Sequence, residues 1–594
     1  MLPSKPLHER RHQRYRLLVA LTLTGFGLTL LGLVRLQVVD GVRYAGLAKE
    51  NRVRPEVLRA PRGTIYDRNG ELLADSAPSF GVVFRPFPAE STQRARETMS
   101  PGWLVSVGAL VELDSAEVRR RVDFANLTGQ SALLRRDAPF AMLARVEETR
   151  SELPGIEVQV EPLRYYPYST LAAHLLGYAG EISGAELDTL AAAGYRPGDL
   201  IGRTGVERSY EDVLPGRDLV LTLDLKVQRA LEEVMADVPR GAAVVLDPRD
   251  GGILAMVSRP VYDPNEFSHG LTRARWKELS EGGANPLLDR AIQGIYPPGS
   301  TFKIVTMSAA LSRGVARAGT RFAPCAGGLN YGGRRFGCWE HRGHGSLDLI
   351  EALQHSCDVY FYQLGLRLGL AGLGETARAL GLGARTGVDL PQEARGLIPG
   401  AVYYDKRWGA RGWRSGLLLN LAIGQGELLL TPLQLALITA EAAIDGRPLR
   451  PHVVARVAGA PAFRPARPVQ PGLPADSAIW HPVQEAMERV VAVGTGGAAR
   501  VPGLRVAGKT GTAQNPHGQD HALFVCYAPV DSPRVAVAIV IENAGHGGSV
   551  CAPRAGAMLR RLFLPDSLQR PVARPAPRDS ARPAARDTGV VDGD

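Results

Sequence analysis

The run from Leu17 to Val34 carries no charge and is bounded by Arg16 and Arg35. A helix of about 18 apolar residues is close to the shortest that crosses a hydrocarbon core. Everything else in the chain must therefore fold on one side of a bilayer or the other. Lys5, Arg10, Arg11, Arg14 and Arg16 precede the run. Positive-inside bias predicts a cytoplasmic tail over 1–16, a spanning helix over 17–36 and a large body beyond it outside the cytoplasm. A cleaved signal peptide is the alternative reading. No small-x-small cleavage pattern lies near Leu36-Gln37-Val38, which favours an uncleaved, single-pass anchor.

With 594 residues the chain has room for two or three domains. Its net charge of +10 sits partly ahead of the apolar run and partly in an Arg-rich tail. No nucleic-acid-binding motif accompanies that charge, and the extracytoplasmic address argues against such a partner. Arg62-Gly63-Thr64-Ile65-Tyr66-Asp67-Arg68-Asn69-Gly70-Glu71-Leu72-Leu73-Ala74 reads as strand, Asn-Gly turn, strand. Residues 80–165 mix short strands with charged helices and hold no catalytic cluster. A boundary is expected near Pro215-Gly216, closing a mixed, β-rich body over 37–215.

Beyond it, Asp224 is placed to cap a helix of helical period. Ala242 to Leu246 and Ile253 to Val257 read as strands, as do Leu523 to Tyr527 and Val535 to Ile541. Helices dominate from Ser300 to about Ala443, and a last one is expected from about Arg554 to Phe563. Strands at both ends with helices between predict an α+β domain over 216–565, one antiparallel sheet carrying a helical lobe. Residues 566–594, rich in Pro, Ala, Arg and Asp, are expected to be disordered.

Chemistry enters at Pro297-Pro298-Gly299-Ser300-Thr301-Phe302-Lys303, a turn followed by an almost uniformly apolar run to Leu311. A helix apolar all round is a buried one. Ser300 then stands at its N-terminus, with Lys303 one turn on along the same face. A serine hydroxyl needs a neighbouring base. A lysine can serve where burial and the positive helix end make its proton easier to lose, and arginine cannot. Taken alone, an N-cap serine with a solvated lysine would read the same. Two further stretches weigh against that: Ser356-Cys357-Asp358 before an apolar run, and Lys509-Thr510-Gly511-Thr512 entering the C-terminal sheet. Ser-x-x-Lys, Ser-Asp-Asn and Lys-Thr-Gly occur together in serine β-lactamases and penicillin-binding proteins.

On these motifs the chain resembles the class B penicillin-binding proteins, peptidoglycan D,D-transpeptidases inhibited by penicillins. Arg62-Gly63 through Asp67-Arg68-Asn69-Gly70 resembles the start of that family's non-catalytic pedestal, or dimerisation-type, domain. Gly424-Gln425-Gly426 with Thr431-Pro432-Leu433-Gln434 resembles a second landmark. Asp358 in the third place of its motif, with Gly202-Arg203-Thr204-Gly205-Val206-Glu207, is similar to the cell-elongation branch, penicillin-binding protein 2.

The resemblance implies a role for each site residue. Ser300 forms an acyl-enzyme with the penultimate D-Ala of a stem pentapeptide, and Lys303 accepts the serine proton. Ser356, supported by Asp358, relays a proton to the departing D-Ala. Lys509, Thr510, Gly511 and Thr512 bind the donor's terminal carboxylate. Backbone N–H groups of Ser300 and Thr512 form the oxyanion hole. It also implies a membrane glycan polymerase of the elongation complex as partner.

Rival readings are weaker. Gly503 to Thr510 spells a phosphate-binding loop, but Gly511 and Asn515-Pro516 break the helix that loop requires. A β-lactamase would not carry an anchor and a pedestal, and a β-lactam sensor would carry several spanning segments. A D,D-carboxypeptidase or a division-type relative shares the motifs.

Three of the five cysteines, Cys325, Cys338 and Cys357, fall close together in the chain, with His344 among them. Three thiolates and an imidazole form a standard closed set for structural zinc. The resemblance carries a zinc site at matching places, with Asp at some of them. His341 competes with His344, and a Cys325–Cys338 disulfide is the alternative in an oxidising compartment. Cys526 and Cys551 are left to pair with each other or to fill the core.

Overall fold

The computed structural model describes residues 7–45, 61–87, 100–410, 412–460, 470–516 and 518–565. The stretch 566–594, expected to be disordered, lies outside the described residues. The chain forms two units, divided between residues 60 and 61.

The first unit is a helix, α1 (Leu7–Val34), followed by a π-helical turn over Arg35–Val39. It starts at Leu7, ahead of the apolar run, so the basic flank from Leu7 onward is helical. One window of it, within Arg14–Val39, is long and apolar enough to cross a membrane, and among the described residues no other helix is.

The second unit opens with the expected hairpin, β1 (Ile65–Tyr66) and β2 (Leu72–Phe84), turned at Asn69-Gly70 with Gly70 at φ +90°. Two helices follow, α2 (Pro101–Val111) and α3 (Ser115–Thr128), capped by the side chains of Ser100 and Asp114. The first of these is apolar, not charged, because it fills the core beneath the sheet with Trp103, Leu104 and Val107. Strands β3 (Ala132–Arg135) and β4 (Ile156–Tyr165) both pair antiparallel with β2.

The pedestal is not closed off near Pro215-Gly216. Gly216 donates to Pro61 O, and β5 (Leu219–Leu221) lies parallel to β1. The second half of the chain is thereby stitched into the pedestal's own sheet.

Helix α4 (Leu225–Val234) starts at Asp224, whose carboxylate accepts from Lys226 N and Val227 N as expected. Strands β6 (Gly241–Leu246) and β7 (Ile253–Arg259) follow, then the helical lobe: α5 (Lys303–Ser312), α6 (Leu349–Gln354), α7 (Asp358–Ala379) and α8 (Pro432–Ala443). The Thr431-Pro432-Leu433-Gln434 landmark is a capping box with proline at the first helical position. A short strand, β8 (Val454–Val457), returns to pair with β5 in the pedestal sheet, whose order is β8-β5-β1-β2-β3 with β4 also on β2. Helix α9 (Ser477–Ala492) precedes β9 (Ala507–Ala513), β10 (His521–Ala528), β11 (Val535–Ile541) and α10 (Gly547–Phe563). Helix α10 begins at Gly547, earlier than the expected Arg554, and takes Pro553 inside.

The second sheet has the order β9-β10-β11-β6-β7, antiparallel throughout, with β9 at an edge. Side chains alternate between its faces with period two. Val244, Leu246, Ala538 and Val540 join the core beneath the helical lobe. Val245, Ala243, Val537 and Ile539 join a second core under α4 and α10, which holds Cys526 and Cys551. A sheet covered on both faces explains why β11 reads Val-Ala-Val-Ala-Ile-Val-Ile without a polar residue.

Candidate active site

The turn Gly299–Phe302 is 3₁₀ and leads directly into α5. Ser300 lies on it, part-exposed, and its Oγ makes no hydrogen bond among the described residues. Lys303 is fully buried at the start of α5. Its Nζ donates to Ser356 O at 2.8 Å, to Ser356 Oγ at 3.3 Å and to Asp358 Oδ1 at 2.7 Å.

Ser356 occupies the junction of α6 and α7 in a left-handed conformation, φ +53°. Asp358 is the first residue of α7. The family resemblance gives Asp358 to Ser356 as support; the structure gives it instead to Lys303 and, through Oδ2, to Trp339 N–H at 3.1 Å. The reason is local. Cys357 ends the extended approach to α7, so the carboxylate starts a new helix whose first turn faces the N-terminus of α5. Trp339 also donates through Nε1 to His355 O at 3.1 Å and Ser356 O at 3.2 Å. This residue is absent from the motif reading. Its only sequence signal is its place beside Cys338.

The third motif runs along the edge strand β9. Lys509 is fully buried, and its Nζ donates to Ser356 Oγ at 2.9 Å and Thr510 O at 3.0 Å. Ser356 Oγ is therefore held between two lysine heads. Burial, and then the neighbouring Lys303, hold Lys509 well below the usual lysine range, with Asp358 acting the other way. Thr510 Oγ1 pairs with Thr495 Oγ1 at 2.9 Å. A side chain on Gly511 would stand 2.9 Å from Thr301 Cγ2, so the strand and the turn that carries Ser300 are in contact here. Thr512 Oγ1 lies 3.5 Å from Nδ1 of exposed His546, a residue outside every motif. Among the described residues, the site thus gathers the heads of two buried lysines around the Asp358 carboxylate and Ser356 Oγ.

Behind Ser356, ligand atoms of Cys325, Cys338, His344 and Cys357 lie within 4.8 Å of one another. A hairpin, Gly328–Tyr331 with Arg334–Gly337, folds the loop back between the first two cysteines. His344 Nδ1 is 3.7 Å from Cys325 Sγ and 3.6 Å from Cys338 Sγ, while its Nε2 is buried without a partner among the described residues. Bond lengths of about 2.3 Å to sulfur and 2.0–2.1 Å to nitrogen place tetrahedral S and N donors about 3.6 Å apart, so these residues fit a closed metal site. His341 is not part of the cluster, and all five cysteines are free thiols, so neither alternative disulfide forms.

A family model described as the penicillin-binding protein transpeptidase domain matches residues 241–560, which carry all three motifs. The chain belongs to the class B penicillin-binding proteins of the elongation branch. A second family model, the penicillin-binding protein dimerisation domain, matches residues 57–241. Peptidoglycan D,D-transpeptidase MrdA of Acinetobacter baumannii is 34% identical over 588 residues, covering 91% of this chain and 86% of the relative. The MrdA protein of Escherichia coli K12 is 32% identical over 593 residues, covering 90% and 91%. Among solved structures, Pseudomonas aeruginosa PBP2 in complex with WCK 5153 is 30% identical with a TM-score of 0.66, covering 86% of this chain and 97% of that one. Helicobacter pylori PBP2 in complex with MreC is 28% identical with a TM-score of 0.72, covering 85% and 98%. As a penicillin-binding protein of this class the chain is a serine D,D-transpeptidase, and penicillin binding belongs to the same domain.

Proposed function

We propose that this protein cross-links peptidoglycan stem peptides during cell elongation through an acyl-enzyme on Ser300. The observation that carries the reading is Ser356 Oγ held between Lys303 and Lys509, at 3.3 and 2.9 Å, beside a serine with an unengaged hydroxyl. Ser300 Oγ attacks the penultimate D-Ala carbonyl, and its proton passes to Lys303. The oxyanion forms against the N–H groups of Ser300 and Thr512. The C–N bond breaks as Ser356 gives its proton to the leaving D-Ala amine and takes one back from Lys303, whose Nζ donates to Ser356 Oγ at 3.3 Å. Lys509, Thr510 and Thr512 hold the terminal carboxylate, while Gly511 lets the strand lie against the turn that carries Ser300. Asp358 keeps Lys303 in place. An amine of a second stem then takes the acyl group.

Cys325, Cys338, His344 and Cys357 would hold a structural zinc ion, which when bound cross-links the loop that carries Trp339 to the start of α7. The basic flank of α1 supports an orientation with the catalytic body outside the cytoplasm. For the pedestal we read a partner role with a membrane glycan polymerase. Its support is an exposed apolar face, with Phe80 directly opposite Val160 across β2 and β4 and Phe140 85% exposed. A related structure is of a peptidoglycan synthase complex.

Labelling with a fluorescent penicillin and peptide mapping tests the central reading. The adduct is expected on Ser300, and label persisting on Ser300→Ala rejects it.

A further inference from the structure

The Gly424-Gln425-Gly426 landmark takes no part in the roles above, yet it touches both halves of the oxyanion hole. Gly299 N donates to Gly424 O at 2.8 Å. Gln425 Nε2 donates to Thr512 O at 3.0 Å. The two glycines, at φ +53° for Gly299 and +75° for Gly424, bring three backbones together with no side chain between them. A Cβ on Gly424 would stand 2.1 Å from Gly299 O, and one on Gly299 would stand 2.5 Å from Thr512 O and 3.2 Å from Thr512 N.

Strand β9 has a neighbour on one side only. In an antiparallel strand the N–H and C=O of one residue point the same way. Thr510 O accepts from Lys509 Nζ, and two residues on Thr512 O accepts from Gln425, so both carbonyls face the open edge. Thr512 N–H faces that edge as well, toward the turn bearing Ser300.

We propose that Gln425 is a positioning residue for the oxyanion hole: by tying down Thr512 O it fixes the peptide group that follows Thr512, and with it the orientation of the residue whose N–H, in the preceding peptide group, is aimed at the tetrahedral oxygen. Gln425 does not act on the substrate. It sets the distance between the two donors by joining the nucleophile turn and the edge strand to the same loop. The proposal rests on the reading of Ser300 as nucleophile and of Thr512 N–H as an oxyanion donor.

The test is acylation of the full-length protein by a fluorescent penicillin, with the saturable Kd separated from the acylation rate constant. Gln425→Met keeps the length and removes the donor. It is expected to slow acylation about tenfold, a fraction of the ~10²-fold effect of deleting an oxyanion donor outright, with Kd within about twofold. Gln425→Glu is expected to be as slow at pH 8 and to recover relative to the native protein toward pH 5, where a protonated carboxyl can again donate to Thr512 O. A role in packing alone would not give that recovery.

An acylation constant in Gln425→Met equal to the native one, or a loss carried wholly by Kd, overturns the proposal. If Gln425→Met fails to fold, the pH recovery of Gln425→Glu decides, and its absence is the negative result. Ser300→Ala run alongside separates the two readings. Label on that variant defeats the nucleophile assignment, whereas label on Gln425→Met at the native rate defeats only the positioning role.

Discussion

Lys303 and Asp358, 55 residues apart in sequence, meet at 2.7 Å, with Lys303 wholly buried. The pair fixes the distance between the helix that follows Ser300 and the helix that follows Ser356. Asp358 also places a carboxylate beside two buried lysines.

Lys303→Arg is expected to reduce acylation by a fluorescent penicillin by at least about 10²-fold, because a guanidinium cannot take the Ser300 proton near neutral pH. Acylation at the native rate would make Lys303 structural. Asp358→Asn leaves the lysines without a counter-charge and is expected to destabilise the protein by about 3 kcal/mol, read from denaturant unfolding. Equal stability of that variant would show that the pair carries no net weight.

The pedestal is held by a buried network that joins two of its sequence landmarks. Glu207, fully buried, accepts from Arg164 Nε at 2.6 Å, from Tyr166 OH at 3.1 Å and from Arg62. Glu207→Ala leaves Arg164 in the interior without a counter-charge, while Arg62 keeps Glu211 at 2.6 Å, and is expected to cost about 3–5 kcal/mol. Glu207→Gln, which keeps the shape, is expected to cost less. Chemical denaturation of both variants checks the order.

Glu441 sits inside α8 with Oε1 accepting from Leu449 N at 3.1 Å and Oε2 without a partner among the described residues. Burial pushes its carboxyl up from 4.5 to about 8. The folded state therefore holds a proton that the unfolded state releases, and the stability this group contributes is complete below about pH 4.5 and lost as pH rises to about 8. Glu441→Gln cannot ionise. Its stability relative to the native protein is expected to rise by about 4 kcal/mol between pH 5 and pH 9, and a flat difference in unfolding midpoints across that range would contradict it.

Metal analysis of the purified protein is expected to find about one zinc per chain, and a strong chelator to lower the unfolding midpoint. Cys357→Ser is expected to weaken retention of the ion while leaving Ser300 in place. A metal-free protein that still acylates, with Cys325 and Cys338 oxidised to each other, would rule the site out.

Periodicity and turn chemistry were enough for much of this protein. The apolar run after Arg16, the Asn69-Gly70 hairpin, the Asp224 cap and the strands of the second sheet are local signals, set by side-chain spacing and by which residues tolerate a turn. The residues that meet at the candidate site were legible for a similar reason: Ser300, Lys303, Ser356, Asp358, Lys509 and Thr512 each sit in a short motif. What those motifs could not convey is which group faces which. Asp358 turned to Lys303 and Trp339 because α7 begins at that residue and packs its first turn against α5. The seam at Pro215-Gly216 became part of a sheet because β5 finds β1 on one side and β8, from far later in the chain, on the other. Gln425 meets Thr512 across 87 residues, and Cys357 meets Cys325 and Cys338 only once a hairpin has folded back. Pairings of this kind depend on packing between distant segments. A chain's local preferences carry no record of them until the core brings those segments together.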